Sequence, residues 1–540
     1  MSESSPPAVA SQAPAGGSML LLPLAFSLLL AAFAGLPLVR DNRGALWSFL
    51  GTAAVLAAWT AVLWLRVRSA GRTLKAHWVL RRPHWLQPLV QGSVYLYWAT
   101  RWPEVLHSAP LIVGQLVFVY AFDMLLAWSV IDDYELGMGP FPIIFSVNLF
   151  MWFKPDWFWA QFIMVASGFA AKRFVRWKKD GQSAHIFNPS SLPLALVSVF
   201  LLATHATDLT LGKEIAQTLG EPSYMFQFLF LVSIPGQILF GVASMTMPAV
   251  LTAALLGAAY FGATGTYFFF GPIPTAAFLG MLLLFTDPST APKTELGRVL
   301  YGIGYGASVF VAYGLLDLFG QPLHYDKLLF VPFLNLGVRA FDRLGRHFVE
   351  AKWSPDHLLP ALTGRKRNAA WFAAWTAVFA FCFAINAIGD IHPGNRLPFW
   401  QKACAEGLHN GCRNLQSMQR TLCEGGSPWA CNEYGIRLLQ PGHSAADAAK
   451  ATQVFEGACE HGMRAACENR QIGQADPFAL RRQDPDLEEY QLLIDNRLLP
   501  TERTGLQEMQ WACEQGWESA CAIARQAEHA APATPHAWAP

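Results

Sequence analysis

Two polar stretches interrupt long apolar runs and carry residue types able to hold a ligand. The first, HIFNPSS, runs from His185 to Ser191, and the second, FTDPSTAPKTELGR, from Phe285 to Arg298. A membrane loop needs only to reverse the chain, whereas the second supplies Asp287, hydroxyls at Thr286, Ser289 and Thr290, two prolines and a closing Gly297-Arg298. Asn188-Pro189 and Asp287-Pro288 each set a short polar side chain before a proline, which disfavours helix at the first residue and preorganises a helix start at the second. Helix N-termini with free N–H groups attract phosphate and other anions. Irregular backbone at membrane depth is tolerated where it lines a cavity. A cofactor-binding reading therefore names His185, Asn188, Pro189, Thr286, Asp287, Thr290 and Arg298. The alternative is that both stretches are ordinary helix N-caps.

One further carboxylate calls for a role. Asp123, in VYAFDMLLAW, falls inside a long apolar run, where a charged and unpaired carboxylate is costly. It is a proton or cation relay, or else it is neutral and hydrogen-bonded to a neighbouring helix. Asn148, Gln237 and Asp317 read as helix–helix hydrogen bonds. No histidine sits at the centre of a long apolar run, which argues against haem, and no metal site is expected. No basic patch of the kind that binds nucleic acid is visible.

Cysteine spacing defines a separate C-terminal region. Cys404/Cys412, Cys423/Cys431, Cys459/Cys467 and Cys513/Cys521 bracket CAEGLHNGC, CEGGSPWAC, CEHGMRAAC and CEQGWESAC. The shared glycine (Gly407, Gly426, Gly462, Gly516) sits where a helix would end, because it enters the left-handed cap conformation without a Cβ clash. Each unit reads as a helix end, a tight turn and a helix start with one cysteine on either side, so a disulfide would staple two antiparallel helices. Zinc is the competing reading, but zinc-binding pairs are usually closer in sequence than these. Disulfides require an oxidising compartment. Cys382, inside an apolar run, reads as a packing residue.

The elements that must position these residues are membrane helices. Hydrophobic residues make up 53% of the chain and charged ones 14%, against roughly 25% charged in soluble proteins. Apolar runs near 19–39, 45–65, 109–131, 225–243, 298–319 and 370–388 are long enough to span a bilayer. Shorter or Gly/Pro-broken ones lie near 85–100, 139–152, 155–171, 189–205, 246–262 and 272–286, with a brief one near 327–337. The expected fold is all-α: a polytopic bundle of about 10–12 spans over 19–390, a linker at 391–400, and a disulfide-stapled α-solenoid over 401–527. A lead at 1–18 and a tail at 528–540 read as disordered, and the lead lacks the basic residues of a secretory signal. Basic clusters at Arg66–Arg82, Lys172–Lys179 and Arg339–Arg367 mark the cytoplasmic side. The N-terminus is then cytoplasmic, the 286–298 loop cytoplasmic and the C-terminal region periplasmic.

The two polar loops in this order, with VLYGIGYG following the second, resemble the D subunit of the Rnf electron-transport complex and the B subunit of the sodium-pumping NADH:quinone reductase over residues 170–345. The cysteine units resemble the secreted, cysteine-rich Sel1-like repeats over 401–525. The first resemblance implies a flavin-linked inner-membrane component working with other electron-transport subunits. In that family FMN is attached to a threonine in a D-G-x-S-x-A-T-P motif. This sequence has no such motif, so FMN or riboflavin would be held noncovalently, and Thr207, Thr210 and Thr246 are the nearest hydroxyls to consider. The second resemblance implies a periplasmic surface for protein partners. The alternative function is a non-redox membrane carrier or scaffold that recruits partners through its repeats.

Overall fold

The structure is a computed structural model that describes residues 17–80, 82–179, 181–350, 364–385, 387–390, 392–473, 476, 479–485, 489, 493, 505–514 and 516–530. Residues 1–16 and 531–540 of the expected lead and tail lie outside the described residues. The chain divides into two compact units, Met1–Leu256 with Ile273–Ile385, and Gly257–Pro272 with Asn386–Pro540.

The first unit is helical. Among the described residues five helices are long and apolar enough to cross a bilayer: Ser18–Gly35, Arg43–Ser69, Glu104–Val130, Glu295–Leu318 and Ala243–Thr264, the last of which runs on past Leu256 into the second unit. Shorter apolar helices cover Ser191–Ala203, Met225–Phe240 and Thr275–Leu284. Leu28, Val55, Leu65, Leu196 and Leu255 are exposed, as side chains facing lipid would be, whereas Glu104–Val130 is enclosed by its neighbours. The close approach of two of these helices depends on Gly302 and Gly306. A Cβ at either would run into the Met245 or Ala249 carbonyl of the facing helix, so the small-xxx-small spacing brings backbone against backbone. Among the described residues two small ribbons complete the unit. Lys75–Trp78 pairs in parallel with Asp133–Leu136, and Arg176–Lys179 pairs antiparallel with Gln182–His185.

Several helices break where their sequence demands it. Pro140–Asn148 stops after nine residues, and the chain continues to Pro155 mostly without regular structure. Thr275–Leu279 runs into a wider π-type turn, Gly280–Leu284, before the polar loop. Beyond that loop, Thr294 caps the helix Glu295–Leu318: its hydroxyl accepts from Gly297 N at 3.1 Å. Met225–Phe240 ends at Gly241, whose φ of +62° is the left-handed region that glycine enters freely.

The second unit is built on four stapled turns. Cys404–Cys412, Cys423–Cys431, Cys459–Cys467 and Cys513–Cys521 are all disulfide-bonded, with Cα separations of 4.3, 4.5, 4.7 and 4.6 Å. In each turn the glycine lies at positive φ: Gly407 at +67°, Gly426 at +99°, Gly462 at +89° and Gly516 at +94°. The backbone closes the same way each time. The glycine N–H donates to the first cysteine carbonyl, and the next N–H reaches back to the residue before that cysteine. Successive helices Leu397–Ala405, Gly411–Glu424, Pro428–Leu438, Ala445–Glu460 and Arg464–Ile472 pack around Trp400, Leu415, Trp429, Ala451 and Phe455. Disulfides need an oxidising compartment. The chain is therefore a membrane protein with a disulfide-bonded domain on an oxidising side.

Candidate functional site

The two polar stretches meet. His185 ends the ribbon Gln182–His185, and its Nε2 lies 3.0 Å from Ser289 Oγ and 3.4 Å from Asp287 Oδ2. Ser289 also donates from backbone N to Asp287 Oδ1 at 2.9 Å. Burial alone would raise the Asp287 carboxyl, but hydrogen bonds and charge from His185, with help from Ser289, outweigh it and hold the group below the usual carboxylate range. Serine, histidine and aspartate here do not form a nucleophilic triad. One imidazole nitrogen faces both partners, and the serine bonds the carboxylate directly, so the histidine cannot pass a proton from one to the other.

Asn188 is fully committed to structure. Its Oδ1 accepts from Ser190 N at 2.8 Å and Ser191 N at 3.2 Å, capping the helix that follows, and its Nδ2 donates to Leu284 O at 2.8 Å. The latter bond ties the first polar stretch to the end of the π-type turn that leads into the second. Asn335 extends the tie: its Oδ1 accepts from Asn188 N at 3.1 Å and its Nδ2 donates to Tyr301 Oη at 2.8 Å.

A cavity of about 780 Å³ opens beside this junction. His185, Asn188, Pro189, Thr286 and Asp287 line it. Thr290 and Arg298 do not. Thr290 is buried with its hydroxyl on Asp287 O, and Arg298 turns away, with Nε on Pro292 O at 3.1 Å and an Nη on Gly241 O at 3.2 Å. Glu295 completes that clamp by meeting Arg298 at 3.5 Å and Arg367 at 3.1 Å. Asp123 lines a neighbouring cavity of about 310 Å³ and accepts from Tyr134 Oη at 3.3 Å. His84, Glu135, Gly139, Lys172 and Arg176 line both cavities. Thr207 and Thr210 lie outside them, and the Thr246 hydroxyl donates to Gln237 Oε1 at 2.9 Å.

No family model, curated protein or solved structure matches this chain.

The cavity's character follows from its lining. Ile143, Phe240 and Leu282 give it apolar walls, Lys172 and Arg176 give it basic side chains, and Glu135 and Asp287 line it as well. Its volume lies within the roughly 300–1,000 Å³ usual for small-molecule pockets. Among the described residues no cluster of His, Cys, Asp and Glu could hold a metal ion. Reasoning from sequence missed Lys172 and Arg176 as lining residues because it used them only to fix topology. It also missed a repeat. Gly139-Pro-Phe-Pro and Gly271-Pro-Ile-Pro each stand at the start of a short helix (Pro140–Asn148, Thr275–Leu279), and a break with a proline and an aspartate (Pro155-Asp156 in a 3-10 turn, Asp287-Pro288 in a loop) then leads to a longer helix. In both copies the aspartate is held by a side chain far away in sequence: Asn42 donates to Asp156 at 2.9 Å, and His185 meets Asp287.

Proposed function

We propose that this protein is a bacterial inner-membrane component of an electron-transport system of the Rnf-D/Nqr-B kind, holding FMN or riboflavin noncovalently. The convergence of HIFNPSS and FTDPST on one cavity carries this reading, since two stretches about a hundred residues apart in sequence share its wall. The lining suits the ligand: a planar ring needs apolar walls, and a ribityl phosphate or ring edge needs the charged donors that Lys172 and Arg176 supply. A bound flavin would supply one- and two-electron chemistry. The chain's own residues would orient it, with Asp287 fixing the His185 ring and Asn188 fixing the loop entry. The basic residues of Lys172–Lys179 support a cytoplasmic side for the cavity, and the four disulfides support a periplasmic side for the stapled unit, read as a Sel1-like solenoid for protein partners.

Protein purified in mild detergent should show flavin absorbance that acid releases, and Asp287→Ala should diminish it while the protein stays monodisperse. A colourless, folded protein that takes up neither FMN nor riboflavin would remove the redox reading. One observation favours the second reading, a carrier or scaffold without redox chemistry: Asp287, Ser289 and His185 bond one another, and Asn188 is committed to Ser190, Ser191 and Leu284.

A further inference from the structure

The four disulfides share one geometry but not one environment. In every pair the first cysteine lies in the last turn of a helix and the second in the first turn of the next, as Cys404 in Leu397–Ala405 and Cys412 in Gly411–Glu424. A helix N-terminus favours a thiolate and a helix C-terminus disfavours one. Each staple therefore has one sulfur that would leave poorly as an anion. Cys404 is the exception. The Arg437 guanidinium donates to its Sγ at 3.4 Å and is steered there by Gln419, whose Oε1 accepts from Arg437 Nε at 2.7 Å. Gln419 is itself 1% exposed, so the arginine is fixed from a buried anchor. The partner sulfur differs as well: Cys412 is exposed, while the other seven bonded cysteines are half-buried.

We propose that Cys404–Cys412 is a thiol–disulfide exchange site, in which an incoming thiolate attacks Cys412 Sγ and Cys404 leaves as a thiolate held by Arg437. The new bond joins the incoming sulfur to Cys412, the Cys404–Cys412 bond breaks, and its electron pair passes to Cys404 Sγ. A second thiolate then attacks the incoming sulfur and releases Cys412 as a thiolate. Two thiols become one disulfide, the protein gains two electrons, and the protons lost by the thiols go to the two cysteines or to water. Exchange runs faster when the attacked sulfur is accessible and the leaving thiol has a low pKa. This pair alone combines the two among the described cysteines.

Full-length protein in detergent is treated with limiting reduced glutathione or, in a second arm, with a reduced Cys-x-x-Cys oxidoreductase. Thiols are then blocked at timed intervals and mapped by mass spectrometry. Cys404–Cys412 should open first, with the glutathione adduct on Cys412 in the wild-type chain. Preference in the protein arm alone would name a protein dithiol as the source, and preference in both would admit small thiols. Arg437→Gln should slow this opening roughly tenfold and Arg437→Lys should restore part of it, with the Cys459–Cys467 rate unchanged as a control for folding. Equal opening of all four disulfides, or an adduct on Cys404, overturns the proposal without any variant being needed.

Discussion

Acid should weaken the second unit through a single histidine. His392 is 5% exposed, its Nδ1 accepts from Gly394 N at 3.0 Å, and its ring packs against Tyr267 with centroids 4.4 Å apart. Burial lowers its pKa from 6.5 to about 4, since a protonated ring would lose both water and its acceptor role. The hydroxyl of Tyr267, whose ring meets the histidine edge-on, is shifted upward by burial and stays neutral throughout this range. The folded pKa is depressed, so between 6.5 and about 4 the unfolded chain binds the extra proton. Stability is complete above pH 6.5 and falls as the pH drops toward 4. A shift of about 2.5 units at 1.36 kcal/mol each sets a loss of about 3 kcal/mol. His392→Gln retains an acceptor that does not titrate. Thermal unfolding of full-length protein in detergent at pH 7, 5.5 and 4, followed by exchange protection of residues 394–405, should show the wild type losing that amount relative to the variant. Parallel pH curves for the two proteins would refute the argument.

Gly306→Ala sets a methyl against the Ala249 carbonyl and should cost about 3 kcal/mol or more, read as a lowered melting temperature in detergent. Gly257→Ala, where a Cβ meets nothing, should not destabilise and serves as the control. Asn188→Ala leaves Leu284 O and two N–H groups without their partner and should cost about 2–4 kcal/mol in the same assay. Asn188→Asp keeps the acceptor and should recover part of that loss.

Apolar composition made the helices legible: every candidate run from 19–39 to 370–388 contains a helix, though 139–152 and 272–286 are helical only in part, and among the described residues five helices, not ten to twelve, are long and apolar enough to cross a bilayer. The brief run near 327–337 was ambiguous because Val331-Pro332 starts a helix, Val331–Glu350, whose polar residues increase toward its end. The prolines Pro235 and Pro248, which ordinarily end helices, sit inside Met225–Phe240 and Ala243–Thr264. Cysteine spacing gave the four pairings outright, because a tight turn leaves each sulfur a single near neighbour. Side-chain direction was not legible. Arg298 and Asp287 share a loop in sequence, but one helical turn beyond Thr294 the arginine faces Gly241. Cavity walls drawn from distant segments, such as Phe240 and Lys172, leave no local signal. The GPFP and GPIP copies did leave one, in the paired Gly-Pro-x-Pro that opens each broken helix.

Each staple spans only 8 positions in sequence, and this bears on how the unit reaches its oxidised state. Eight cysteines admit 105 pairings, yet a loop of about ten residues closes in roughly 10–100 ns, far faster than any long-range encounter. As the chain emerges N-terminus first, both sulfurs of one turn are present before the next turn appears. Oxidation itself takes seconds to hours, so many contacts precede each bond, and the short loop favours the local pair through its low closure entropy. A hairpin gained or lost in evolution would leave the remaining bonds unchanged, so length can vary without disturbing oxidative assembly.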